Sequence, residues 1–179
     1  MNPYSEENLN LRLANKKDEE LLLNWANDAT VKKWSFLNSS EIEVDEHKKW
    51  FKEKLKSNDV RIWILEKQNF PCGQIRIEKS EKQAVLHYSI ASDFRGKSFG
   101  SKMLQMAILK TFSEWPETQI IAYTVPGNIA SNSSLEKAGF IEISSTKEEK
   151  CFIFENTKTS RVIIESGFEE LKRAAYMVD

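Results

Sequence analysis

The chain turns on one stretch, residues 89–112, SIASDFRGKSFGSKMLQMAILKTF. An apolar strand, Ala84 to Ile90, runs into a short polar turn. The turn Arg95-Gly96-Lys97-Ser98-Phe99-Gly100 then opens an amphipathic helix. Phe99, Met103, Met106 and Ala107 recur at helical spacing, with Leu104, Ile108 and Phe112 beside them, while Ser101, Lys102, Gln105 and Lys110 are left for solvent. A strand, a glycine-bearing loop and a helix start together make an anion site. Unpaired N–H groups of the first turn point outward, and the helix dipole favours negative charge there. Arg95 and Lys97 add formal positive charge.

Two common phosphate motifs do not fit. A P-loop needs glycine five residues before Gly96, where Ala91 stands, and the dinucleotide fingerprint needs glycine at Ser98.

Composition sets the outer limits. The 179 residues make one ordinary domain with room for a core. A net charge of -1 with mixed signs points away from nucleic acid and membrane surfaces. The two cysteines, Cys72 and Cys151, lack metal or redox spacing and read as free thiols in a reducing, cytoplasmic setting. No metal site is expected, and no apolar run approaches the roughly 20 residues of a membrane span.

Along the chain, Leu9 to Leu13 alternates as a strand. Asp18 to Trp25 reads as a helix, Thr30 to Phe36 as a shorter helix or turn, and Asn38-Ser39-Ser40 as a loop. Val44 to Leu55 is a helix with Val44, His47, Trp50, Phe51 and Leu55 on its apolar side. Strands at 60–66, 74–78 and 84–90 form a meander, with the first hairpin turn placed at Asn69 to Gly73. After the central helix come a strand at 119–125, a helix at 130–138 and a hairpin at 140–156. Val162 to Asp179 reads as a C-terminal extension, helical from about Glu169.

A second motif follows the strand at 119–125: Pro126-Gly127-Asn128-Ile129-Ala130-Ser131, with a short helix closing at Lys137-Ala138-Gly139-Phe140. Arg95-Gly96-Lys97-Ser98-Phe99-Gly100 resembles the Arg/Gln-x-x-Gly-x-Gly/Ala loop of the GCN5-related N-acetyltransferase (GNAT) superfamily. Asn128, Ser131 and the closing segment resemble that superfamily's second motif. The resemblance implies an α+β fold: a mixed, mostly antiparallel twisted sheet of about seven strands flanked by four or five helices. It implies a domain over residues 1–158; the extension over 159–179 carries apolar Ile163, Ile164, Phe168 and Leu171, which are expected to cover the protein's own sheet or to pair in a homodimer.

The resemblance also implies acetyl-CoA as cofactor. Its pyrophosphate would lie on the amides of Gly96, Lys97, Ser98, Phe99, Gly100 and Ser101, with Arg95 and Lys97 adding charge. Its pantetheine arm would pair with the backbone of Ser89, Ile90 and Ala91, and an N–H near Ser89–Ile90 would hold the thioester oxygen. Asn128 would touch the cofactor or order the next helix. Two departures stand out. Ser98 replaces a usual glycine, and Leu135 stands where the superfamily often carries a tyrosine acid, leaving Ser131 or Ser134 to donate through water.

The implied reaction is direct attack of an amine on the thioester, with Glu78, His87, Tyr88 and Tyr123 as candidate bases. Strand alternation lets only one of His87 and Tyr88 face the cleft. A spaced pattern, Leu11-Arg12-Leu13-Ala14, Asp18, Trp25-Ala26-Asn27-Asp28, Val31, Ser35, Ile42, His47, Trp50-Phe51 and Gly73-Gln74-Ile75-Arg76, resembles the acetyltransferases of pseudaminic-acid biosynthesis. Those acylate the 4-amino group of a UDP-linked aminosugar. His47 and residues near Lys79 would then face the nucleotide, and Trp or Lys side chains of residues 25–34, Trp25 and Lys33 among them, would line the sugar pocket with Tyr123. The same outline fits an acetyltransferase of ribosomal-protein N-termini. A domain that binds acetyl-CoA without turnover is the reading from another class.

Overall fold

A computed structural model describes residues 8–35 and 40–156. The loop placed at Asn38-Ser39 and the extension at 162–179 lie outside the described residues.

Seven strands form one sheet: β1 (Leu9–Leu13), β2 (Val60–Lys67), β3 (Phe70–Ser80), β4 (Gln83–Ile90), β5 (Gln119–Thr124), β6 (Ile141–Ser145) and β7 (Lys150–Phe154). Their spatial order is β1-β2-β3-β4-β5-β7-β6. Every neighbouring pair is antiparallel except β4 and β5, which run parallel. Among the described residues, five α-helices flank it: α1 (Glu19–Ala26), α2 (Ala29–Lys33), α3 (Val44–Lys56), α4 (Phe99–Glu114) and α5 (Ile129–Lys137). The mixed α+β fold is the one expected.

Alternation along the strands sorts side chains onto two faces. Ile75, Ile77, Ala84, Leu86, Ile120, Ala122, Phe152 and Phe154 meet Phe99, Met103, Leu104, Ala107 and Ile108 of α4 and Leu135 of α5. On the other face Ile62 and Ile64 meet Leu22 of α1 and Phe51 of α3. The helical spacing read in α4 is therefore its buried stripe.

A half-buried Arg12, shared between two carboxylates, fixes the chain entry. Arg12 forks onto both Asp18 oxygens at 2.8 Å, and its Nε reaches Glu66 Oε1 at 2.7 Å. Asp18 also closes a reciprocal cap with Asn15 ahead of α1. One side chain thereby ties β1, β2 and the start of α1 together.

Three readings change. The first hairpin turn is Gln68-Asn69, both at positive φ, not Asn69 to Gly73. That is the backbone twist a two-residue hairpin wants. Pro71 lies inside β3, tolerated beside a bulge at Leu65/Glu66 where the ladder is already irregular. Val44, assigned to the apolar side of α3, is 62% exposed because it opens the helix beyond the packed stripe.

Gly73 lets β3 and β4 close at the end nearest α4. A Cβ there would stand 2.8 Å from Ile90 Cδ1 and 2.9 Å from the Ser89 carbonyl oxygen, and a backbone carbonyl cannot step aside. Gly73→Ala is expected to destabilise the fold by about 1–3 kcal/mol, read as a lower urea midpoint.

Candidate active site

The site is a gap in the sheet. β4 and β5 pair from Gln83↔Gln119 to Leu86↔Ala122 and no further, although β4 runs to Ile90 and β5 to Thr124. β4 instead stays with β3 as far as Ile90↔Gly73, and the Ala91 N–H donates to the Cys72 carbonyl at 2.9 Å. β5 stays with β7 to Thr124↔Lys150, and Thr124 Oγ1 meets Asn132 Oδ1 of α5 at 2.5 Å. Each strand is held from its far side, so the two diverge. N–H direction alternates along a strand, so the Ile90 N–H faces the gap where that of Ala91 faces β3.

The loop into α4 borders the gap. Gly96 has φ +75° and Ser98 φ +61°, so a serine occupies a left-handed position. Ser98 caps nothing with its side chain. The N–H groups of Phe99, Gly100 and Ser101 have no carbonyl one turn earlier inside the helix, and they converge on the loop. Gly100 lies so near α5 that a Cβ would stand 2.9 Å from Ser134 Oγ. The two cations of the loop are occupied within the chain. Lys97 Nζ donates to the Asp93 carbonyl at 2.7 Å. Arg95 donates through Nε to the Ile90 carbonyl at 3.0 Å and through one terminal nitrogen to Asp28 Oδ1 at 2.6 Å.

On the α4/α5 side, Asn128 caps α5 by accepting the Ser131 N–H at 3.2 Å. The Tyr88 hydroxyl lies 3.0 Å from Ser131 Oγ and donates to the Ser131 carbonyl at 3.3 Å. Burial raises the Tyr88 phenol above its usual range, against the pull of Ser131 and Ser134. Leu135 is fully buried, so the position of the usual tyrosine acid is core here.

On the opposite face the gap is flanked by His87 and Ser89 from β4 and by Tyr123 from β5, 42% exposed. Ser89 Oγ accepts from Gln74 Nε2 at 3.3 Å. Next to His87 across the ladder is Arg76, whose guanidinium lies over the Trp50 ring at 5.0 Å. Its Nε is 2.7 Å from Glu78 Oε1 without hydrogen-bond alignment, so the contact is coulombic. Glu78 also pairs with Lys54 of α3. Burial would raise the Glu78 carboxyl, but Lys54 and Arg76 hold it below its usual range. Burial, reinforced by Arg76, pulls His87 down to about 4. The patch thus carries two cations against one carboxylate, beside a neutral imidazole.

Other expected residues fall elsewhere. Lys79 shares the face of Ile75 and Ile77 and sits over Trp115 beyond the end of α4, away from His87. His47 is 4% exposed and stacked on Phe51, with burial lowering its pKa. Trp25 packs on the second core cluster. Lys33 lies over Trp34. Trp34 itself packs on Gly127, whose Cβ would stand 3.4 Å from its ring. α2 thus crosses the open end of the gap, from Arg95 to Gly127. Asp28 and Arg76 carried no assigned site role in the sequence. Asp28 could have been found as a cap two and three residues before Thr30 and Val31, and Arg76 by sharing strand parity with Glu78.

Comparison with known proteins decides the family. The acetyltransferase (GNAT) domain family matches residues 8–141. The chain belongs to the GNAT family. This GNAT enzyme is an N-acetyltransferase that uses acetyl-CoA. It is 24% identical over 152 residues to YdaF of Bacillus subtilis (strain 168), provisionally named a ribosomal N-acetyltransferase, covering 79% of this chain and 82% of that one. Its fold superposes on spermidine N-acetyltransferase from Vibrio cholerae in complex with CoA and spermine, with TM-score 0.77 and 18% identity over 84% of this chain and 96% of that one. Aminoglycoside acetyltransferase AAC(6')-Ib, in complex with coenzyme A and kanamycin, gives TM-score 0.70 and 17% identity over 88% and 98%.

Two outcomes follow from this GNAT site. Ser98→Gly relieves a left-handed serine and is expected to raise stability by about 0.5–1 kcal/mol in thermal melts. The unfolded chain takes up the His87 proton before the folded one does. Stability therefore falls as pH drops from the ordinary histidine range through about 4. The His87 ring is expected to titrate by NMR near that value, and His87→Gln should flatten the acid limb of the urea midpoint.

Proposed function

We propose that the enzyme acetylates the 4-amino group of a nucleotide-linked aminosugar, most directly a UDP-aminosugar, by attack of the free amine on acetyl-CoA. The observation that carries this reading is the cationic patch of Arg76 and Lys54 around Trp50, one residue from the gap. A patch with two cations, one carboxylate and an aromatic ring suits an acceptor bearing a diphosphate and a base. It does not suit a polycation, whose amines it would repel.

Acetyl-CoA supplies the activated acyl carbon. The N–H groups of Gly96 to Ser101 would receive its pyrophosphate at the positive end of α4. Ser89, Ile90 and Ala91 offer the backbone edge along which the pantetheine arm would pair. The Ile90 N–H is directed to meet oxygen charge that grows as the amine attacks. The Tyr88–Ser131 hydroxyl pair would give a proton to the thioester sulfur as the C–N bond forms and the C–S bond breaks. Asn128 acts by ordering the first turn of α5 and hence Ser131.

The amine proton leaves on the other face. His87 is neutral at neutral pH and is free to accept it, weakly. Glu78, paired with two cations, serves to hold Arg76 and Lys54 in place. Tyr123 and Lys33 border the acceptor space, while His47 and Trp25 support it from within the second core.

Acetylation of a ribosomal-protein N-terminus is the second reading, favoured by the Bacillus subtilis relative. It calls for an open groove, and α2 lies across the gap. Membership of an acetyltransferase family sets aside a domain without turnover.

The test is free-thiol release from acetyl-CoA with UDP-linked 4-amino-sugars beside short peptides with free N-termini. Release is expected with the sugars. Arg76→Ala should raise the sugar KM about tenfold or more and leave the acetyl-CoA KM nearly unchanged. Release with peptides alone would move the assignment to protein acetylation.

A further inference from the structure

Arg95 has the sequence position of a phosphate ligand but the contacts of a strut. Its Nε holds the carbonyl of Ile90, the last residue of β4 at the gap, at 3.0 Å. A terminal nitrogen holds Asp28 Oδ1 at 2.6 Å. The same Asp28 oxygen accepts the N–H groups of Thr30 and Val31, each at 3.0 Å, and so starts α2. One carboxylate oxygen therefore joins the cofactor loop to the first turn of α2. Burial would raise the Asp28 carboxyl, but Arg95 and the two amides hold it below its usual range, so it stays charged at neutral pH.

α2 depends on this tie more than a longer helix would. It has five residues and no buried side chain, so neither its length nor a core face fixes its place. What places it lies at its ends. Before it, Asn27 exchanges hydrogen bonds with the Ile42 backbone at 2.8 and 3.0 Å, and Asp28 meets Arg95. After it, Trp34 packs on Gly127 in the loop between β5 and α5. The Arg95 tie is on the β4 side of the gap and the Trp34 tie on the β5 side. α2 is a strap fastened to both diverging strands.

We propose that Arg95 is a positioning residue for the acceptor side of the site. Through Asp28 it fixes α2 across the gap, and the cofactor pyrophosphate is met chiefly by the loop N–H groups. To offer phosphate its paired fork, the guanidinium would have to release Ile90 or Asp28, because Nε and one terminal nitrogen are already engaged. The N–H donors need no such exchange, because the helix start already presents them.

The test separates the two roles of Arg95 with CoA itself as probe. Asp28→Asn keeps an oxygen to cap Thr30 and Val31 but removes the charge that binds Arg95. CoA affinity is measured by calorimetry in wild type, Asp28→Asn, Arg95→Ala and the double variant. Acrylamide quenching of Trp34 is taken in each background as the difference from a matching Trp34→Phe protein. Asp28→Asn and Arg95→Ala are each expected to raise Trp34 quenching about twofold, with the double variant no worse than either, since both cut one tie. CoA affinity should stay within about threefold of wild type in all three. Arg95→Lys should restore part of the protection.

With a UDP-linked 4-amino-sugar as acceptor, Asp28→Asn should raise the sugar KM about tenfold and leave the acetyl-CoA KM in place. Only this kinetic arm rests on the aminosugar reading. A wild-type enzyme silent toward the sugar would count against that reading, whereas the quenching and CoA measurements judge the strut. Trp34 quenching unchanged in Asp28→Asn would overturn the proposal. So would a tenfold or greater loss of CoA affinity in Arg95→Ala beside an unaffected Asp28→Asn.

Discussion

The parallel ladder between β4 and β5 stops after Leu86↔Ala122, and the site exists because it stops. A buried strand edge is costly unless its N–H and C=O groups find partners. Here each strand finds them on its outer side, β4 on β3 and β5 on β7. Apart from the Ile90 carbonyl, which Arg95 holds, the inner edges past Leu86 and Ala122 are left to whatever enters. An extended, amide-bearing chain such as the pantetheine arm fits that vacancy as another strand would. It needs no particular side chain, which is why the backbone rather than the residue types at Ser89, Ile90 and Ala91 matters.

The anion site is built in the same economical way. Lys97 and Arg95 look like the phosphate charges of the loop, yet each has an oxygen of the chain as partner. What remains aimed outward is the run of first-turn N–H groups of α4. Such groups carry about half a unit charge at a helix start, with no side-chain entropy to lose on binding. Ser98 shows the local strain this geometry accepts. The loop holds a left-handed backbone there, cheapest for glycine, and the chain supplies serine.

Much of this was legible in the sequence, and the part that was not has a physical reason. Alternation along β4 set Tyr88 and His87 on opposite faces, because a period of two is local information, but did not say which face each would take. The same rule, applied two residues past Ile77, puts Lys79 on the α4 face, away from the acceptor patch. That parity was readable. The pairing of Arg95 with Asp28 was not, since 67 residues separate them and either charge had other local uses. Helical spacing correctly gathered His47 with Trp50 and Phe51. It could not say whether that stripe faced core or cleft, and burial at 4% exposure answers core. The hairpin at Gln68-Asn69 lacked the glycine that usually announces such a turn.

The electrostatics of the acceptor face bear on the class of amine. No group there is tuned as a strong base: His87 is pulled to about 4, and Glu78 is held ionised by two cations. An alkylamine near pKa 10 would resist losing its proton to either. Arg76 and Lys54 offer another route, because a nearby positive charge disfavours the ammonium form and lowers the amine's own pKa. The route works best for an amine already depressed, such as one on a sugar ring carrying electron-withdrawing oxygens. A protein α-amino group, near pKa 8, would also qualify on charge alone. What separates those two acceptors is shape. A polypeptide must trail away from the gap, and α2, fastened at Arg95 and at Gly127, stands across that exit. On the acceptor reading proposed above, the cationic patch would weigh against a polyamine and the strap against a polypeptide. The proposed compact, anionic acceptor with a weakly basic amine is the chemistry that would satisfy both.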